Sequence, residues 1–177
     1  GLDRLTLYSY GAENIVRAYA EKYGIRYVDL DSYSAGSFGD VSYMLYDGVL
    51  TLSTEGQNVV VSAKDQPWAA QRDTITKIEI GAGITAIEAE AFKDYPALTE
   101  VLVPDYLRSI GEGAFAVSAG NGATLTMTIP RRVEFLGAHL FDGRDRVEIL
   151  GYYDSPAEQL QGDHIQVTLK RQYKLLL

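Results

Sequence analysis

SIGEGAF, residues 109–115, sets two glycines and an alanine between an isoleucine and a phenylalanine. It holds too much glycine for a stable helix interior and lacks the period-two alternation of a strand. Two other stretches bring a phenylalanine to the same place. IGAGITAIEAEAF (80–92), VPDYLRSIGEGAF (103–115) and IPRRVEFLGAHLF (129–141) superimpose without gaps. Their phenylalanines are Phe92, Phe115 and Phe141, with steps of 23 and 26 residues. Ile87, Ile110 and Leu136 fall in one column; Ile84, Leu107 and Val133 in a second; Ile80, Val103 and Ile129 in a third; Ile78, Val101 and Met127 in a fourth.

A period in the twenties with one short strand per unit predicts coils that stack on one another. TKIEI, TEVLV and LTMTI supply the strands, and period-two alternation turns residues 78/80, 101/103 and 127/129 inward. Pro104 and Pro130 end two of the strands where no further ladder donor is wanted, and Gly81 does so in the first. The chain then crosses back and tightens into one helical turn that ends in phenylalanine. On this reading the small residues of SIGEGAF permit a tight inner corner, and Phe115 fills the interior between Phe92 and Phe141. The outward residues are Lys77, Glu79, Glu100, Leu102, Thr126 and Thr128, and they form the candidate binding face. Leu102 stands out there. Inward packing does not explain a large apolar side chain where the neighbouring coils carry Glu79 and Thr128.

LTEVLVPDYLRSIGEGAF (98–115) resembles the BspA-like (Treponema pallidum-type) leucine-rich repeats of bacterial surface proteins. Their units read L-x-x-V-x-I-P-x-x-V-x-x-I-G-x-x-A-F. The resemblance implies an α/β repeat fold, a right-handed solenoid with short parallel strands and one helical turn per coil. Here FKDYPAL carries Tyr95, and FAVSAGNGATL is a longer insert, after the phenylalanine, where the family has a small residue or cysteine. Residues 41–73 look like the hairpin and Trp cap that precede such arrays: Asp47-Gly48 is a hairpin turn, and Pro67-Trp68 covers the first coil. Residues 1–31 look like the strand–helix–strand piece that closes them. Strands are expected near 5–9 and 25–30, with an amphipathic helix over 12–23 that packs through Ile15, Ala18, Tyr19 and Tyr23 and ends at Gly24. Residues 32–40 read as a Ser/Gly linker, 74–146 as the repeats and 147–177 as a C-terminal closing segment. In that segment Val147, Ile149 and Tyr152 lie over Leu5, Leu7 and Tyr10. GLDR opens the chain with neither Met nor a signal peptide, and this order of pieces reads as a section of a longer surface protein.

Chemistry is sparsely represented. The chain has 177 residues, no cysteine and a formal charge of −8, which excludes thiolate chemistry and makes nucleic acid an unsuitable partner. His139 falls at a variable corner, His164 opens an alternating HIQVTLK strand, and Glu88 and Glu90 flank Ala89 on an exposed turn. No phosphate loop, G-x-S-x-G or H-E-x-x-H occurs. DLDSYSAGSFGD (29–40) puts Tyr33 and Ser42 at the third and twelfth places of a calcium loop, where ligands are required, so no metal is expected. No run reaches the ~20 apolar residues of a membrane helix. Tyr8, Tyr10, Tyr152 and Tyr153 fall on terminal strands, where aromatic rings suit a half-buried sheet or a sugar face.

The expected function is therefore a non-enzymatic, extracellular or cell-surface module without a cofactor. It would bind a host or bacterial surface protein, or a glycan, through the sheet face. The alternative is a structural spacer that presents another domain.

Overall fold

The computed structural model describes residues 5–10, 15–29, 33–160 and 162–171. Its elements run β1 (Thr6–Ser9), α1 (Ile15–Tyr23), β2 (Arg26–Asp29), β3 (Ser34–Phe38), β4 (Val41–Tyr46), β5 (Val49–Ser53), β6 (Val59–Val61), β7 (Lys77–Ile80), β8 (Ile84–Ile87), β9 (Glu100–Leu102), β10 (Ser109–Ile110), β11 (Thr124–Thr128), β12 (Phe135–Leu136), β13 (Arg146–Tyr152) and β14 (Ile165–Lys170). Short 3-10 turns cover Ala69–Thr74 and Pro156–Gln159.

From β5 to β13 the chain alternates between two sheets. The long sheet has the order β14-β13-β11-β9-β7-β5-β4-β3, and the short sheet the order β12-β10-β8-β6. Pairing is parallel throughout, except in the β3–β4–β5 meander. Neither sheet closes on itself. The repeat register is direct: Lys77 pairs with Glu100 and Glu100 with Thr126. Strand β5 belongs to the same series, with Leu50 beside Ile78 and Leu52 beside Ile80. The hairpin ahead of the repeat therefore also supplies a coil strand. Its turn is the expected Asp47-Gly48, with both φ values positive (49° and 75°).

The interior is built from the predicted columns. Ile78, Val101, Ile84, Leu107, Ile110, Ile129, Phe92 and Phe115 have no exposed surface. The Phe92 and Phe115 rings stack at 5.6 Å and 11°, and Phe115 and Phe141 at 6.1 Å and 13°. The corners that deliver these rings differ from one helical turn. They are successive i→i−3 turns, such as Ala91 N–H to Glu88 O and Lys93 N–H to Glu90 O. Glu90, Gly113 and His139 hold one left-handed place, at φ 60°, 60° and 58°. Gly111 and Gly137 occupy a second demanding place: a Cβ would lie 2.2 Å from Ala89 N and from Glu112 N, respectively. The glycines of SIGEGAF thus answer two needs, close backbone approach at Gly111 and positive φ at Gly113.

Two stretches depart from the sequence expectation. Within 32–40, residues Ser34–Phe38 are strand β3 rather than linker, paired antiparallel with β4. Gly36 is there because the Tyr43 ring lies 3.1 Å from where its Cβ would be, not for flexibility. Phe38 meets Trp68 edge-on at 5.7 Å, so this strand helps to enclose the cap. The second departure is α1. Residues 12–14 lie outside the described residues, and the helix runs from Ile15 to Tyr23, followed by Gly24 at φ 64°. Its buried residue is Ala20, with Val16 half-buried one turn earlier, whereas Ile15, Ala18, Tyr19 and Tyr23 are exposed. The parallel pair β1–β2 has only two strands and is too narrow to cover the wider stripe. Tyr19 and Tyr23 pack on each other instead, at 4.5 Å.

Trp68 is fully buried, with its ring against Phe38 and Tyr43. Its indole N–H donates to Tyr95 Oη at 2.9 Å, and the Tyr95 hydroxyl donates to Gln66 Oε1 at 2.9 Å. Gln66 Nε2 completes the chain by donating to the Ser62 and Ala91 carbonyls. Burial pushes the Tyr95 phenol up to about 12. The closing segment also differs in detail. Strands β13 and β14 extend the long sheet in parallel, joined through the 3-10 turn at 156–159; 161 and 172–177 lie outside the described residues. Both terminal pieces contain a parallel strand pair, but Leu5 and Tyr10 are exposed where Val147 is buried and Tyr152 half-buried.

Candidate functional site on the long sheet

The six predicted face residues come together. Lys77 pairs with Glu100, Glu100 with Thr126, and Thr126 with Glu148. The parallel row runs from Glu79 to Leu102, and from Thr128 to Leu150 and Thr168. Leu102 is 43% exposed, while Val101 beside it is fully buried, so the alternation holds. Lys77 Nζ lies 3.0 Å from Glu100 Oε2 and 3.1 Å from Glu79 Oε1. Hydrogen bonds to Glu100 and then Glu79 hold the Lys77 ammonium above its ordinary value. Thr126 Oγ1 donates to Thr99 O at 3.1 Å. The ion pairs and threonine hydroxyl fix a polar row beside an apolar one.

Between β9 and β14 the face sinks into a shallow depression of about 320 Å³. Leu102, Leu150 and Thr168 line one row of it, and Glu100, Thr126 and Glu148 the other. Glu148 is held by Arg146 at 3.1 Å. Glu148, Leu150 and Thr168 are absent from the sequence-derived set. The signal was available: RVEILGY alternates like TEVLV, and placing Val147 and Ile149 inward puts Glu148 and Leu150 outward.

The remaining candidates lie elsewhere. His139 is exposed, with Nδ1 2.8 Å from Asp142 Oδ2. His164 is half-buried rather than at a solvent edge, and its Nε2 is buried without a partner. Glu88 accepts from Ala63 N–H at 3.1 Å, and Glu90 pairs with Lys93. Tyr8, Tyr10 and Tyr153 are exposed and Tyr152 is half-buried. Among the described residues, no three His, Asp or Glu side chains are grouped to hold a metal ion. No helix among them is long and apolar enough to cross a membrane.

The chain is similar to a leucine-rich repeat protein from Eubacterium ventriosum ATCC 27560, at 24% identity and a TM-score of 0.47. The match covers 74% of this chain and 42% of that one, so this chain spans less than half of that protein's length. No family model matches the chain, and no curated protein does.

Proposed function

We propose that this chain is a non-enzymatic, leucine-rich-repeat-type solenoid segment of a bacterial surface protein, and that it binds a protein or glycan through the outer face of its long sheet. One observation carries the reading: Leu102 and Leu150 expose apolar surface in one row, flanked by Glu100 and Glu148, where the core makes no use of them. Small apolar patches rimmed by charge are a common form of protein contact surface. The resemblance of residues 98–115 to the BspA-like repeats supports the class and the surface location.

The test is an array of glycans and surface proteins screened with the chain and with its Leu102→Asp variant. The reading expects a ligand whose binding the variant abolishes. If the intact chain captures nothing, the spacer reading takes its place.

A further inference from the structure

The third coil ends in an unfinished hydrogen-bond pattern. In the short sheet each coil donates backward: Arg108 N–H to Thr85 O, Gly111 N–H to Ile87 O, Glu134 N–H to Arg108 O and Gly137 N–H to Ile110 O. In the corners the direction reverses. Glu90, Phe92 and Asp94 donate to Glu112, Ala114 and Ala116, and Gly113, Phe115 and Val117 donate to Ala138, Leu140 and Asp142, all at 2.8–3.0 Å. His139, Phe141 and Gly143 occupy the same three places in the third coil, and their N–H groups have no acceptor among the described residues. The Glu134 and Leu136 carbonyls, equivalent to those of Arg108 and Ile110, likewise receive no donor there. Two acceptors followed by three donors are left open along one stretch of chain.

Glu134, Leu136, His139 and Phe141 border a cavity of about 600 Å³, and Gly143 follows just beyond it. Phe135, Leu136 and Leu140 form one wall, and Pro156, Leu160 and Ile165 the other. Phe135 is 58% exposed, and the unpartnered Nε2 of His164 belongs to the second wall. The long sheet continues two strands beyond β12 at this end, with β13 and β14, and two beyond β6 at the other, with β4 and β3. A second copy approaching end-on would bring those overhangs into collision, each ~10 Å deep at ~4.8 Å per strand. A single added strand needs only ~4.8 Å of that depth.

We infer that this slot receives a segment of a partner polypeptide that follows the path of a coil, a short apolar strand and then a tight corner, by strand addition to β12. The segment runs parallel to residues 134–143; two of its N–H groups bond to Glu134 O and Leu136 O, and its next carbonyls bond to the N–H groups of His139, Phe141 and Gly143. Main-chain bonds supply affinity in such additions, and alternate side chains in pockets supply selectivity. Phe135 and Leu160 are the wall residues that meet the segment's inward side chains. The inference stands apart from the sheet-face reading and involves none of its residues.

The test uses the whole chain, isotopically labelled, with two synthetic peptides that copy its own coils, residues 103–117 and 129–143. These are the segments whose backbone already makes this pattern on the preceding coil. Amide spectra are recorded for the native chain, for Phe135→Asp and for Leu102→Asp. Saturable shifts at the His139, Phe141 and Gly143 amides are expected with at least one peptide, weakened tenfold or more by Phe135→Asp and unchanged by Leu102→Asp. Without peptide, these three amides exchange with solvent faster than those of Gly113, Phe115 and Val117. No shift at these amides with either peptide at millimolar concentration overturns the inference. So do shifts confined to the β3 or β14 edge, or equal binding by native and Phe135→Asp chains of unchanged melting temperature.

Discussion

Arg144 Nε donates to Phe115 O at 2.7 Å, and the same guanidinium reaches the carbonyls of Leu98 at 3.1 Å and Tyr95 at 3.2 Å. The residue is 6% exposed, and burial lowers its guanidinium to about 10. A buried charge is tolerated only when its donors are used, and here three carbonyls from two preceding coils take them. Arg144→Met fills much of the volume but orphans the Phe115 and Leu98 carbonyls, whereas Tyr95 O keeps the Leu98 N–H at 3.2 Å, and each buried unpaired group costs ~1–3 kcal/mol. Chemical denaturation is expected to show a loss of ~2 kcal/mol or more; a loss below ~0.5 kcal/mol would mean that water satisfies these two carbonyls without the arginine.

Phe115 sits between two parallel rings with no exposed surface. Phe115→Ala is expected to cost ~3–5 kcal/mol through the cavity it leaves. Phe115→Leu retains much of the volume and costs less. A thermal melt of the alanine variant indistinguishable from the native one would rule out the ring stack as a structural element.

The two glycines of SIGEGAF are expected to respond differently to alanine. At Gly113 an added Cβ meets nothing closer than 3.7 Å, so only the left-handed backbone is penalised, by ~1–2 kcal/mol. Glu90 and His139 already accept that cost. At Gly111 the Cβ would fall 2.2 Å from a neighbouring backbone nitrogen, and the coils must separate. Gly111→Ala is expected to be much the more damaging, and equal melting temperatures for the two variants would refute the distinction.

Asp94 accepts the Ser118 backbone N–H at 2.7 Å, and hydrogen bonds from Ser118 hold its carboxyl below the usual value of 3.8. A lowered folded-state pKa contributes stability above the unfolded value and loses it as pH falls through the folded value. The gap in melting temperature between native chain and Asp94→Asn is therefore expected to be present at pH 7 and to shrink once pH drops below 3.8. A gap independent of pH would exclude the carboxylate as its source.

The repeat was legible because four apolar columns and a phenylalanine recur in register, and inward packing enforces both. The six face residues followed from the same alternation, which places them together although it says nothing of what they bind. Other features carry weaker sequence signals. Gly36 has one letter for two meanings, flexibility and close approach, and only the Tyr43 ring tells them apart. The stripe Ile15, Tyr19, Tyr23 has helical spacing, but a helix buries only what its partner surface can cover, and two strands cover Val16 and Ala20. The open N–H groups at the end of the third coil leave no trace in side-chain type, since every residue but proline has one.

The Arg144 clasp also bears on how the chain would carry a load. Hydrogen bonds between neighbouring coils lie along the stacking direction, so pulling the ends of the stack apart strains them one rung at a time, as in a zipper. Each 23-residue coil peeled away would release about 80 Å of slack chain. Arg144 couples the carbonyls of Tyr95 and Leu98 in the first coil and Phe115 in the second to the third, so the two gaps between them cannot part in succession without breaking the clasp. Under tension these three coils would yield as one block, later and more abruptly than the rungs on either side.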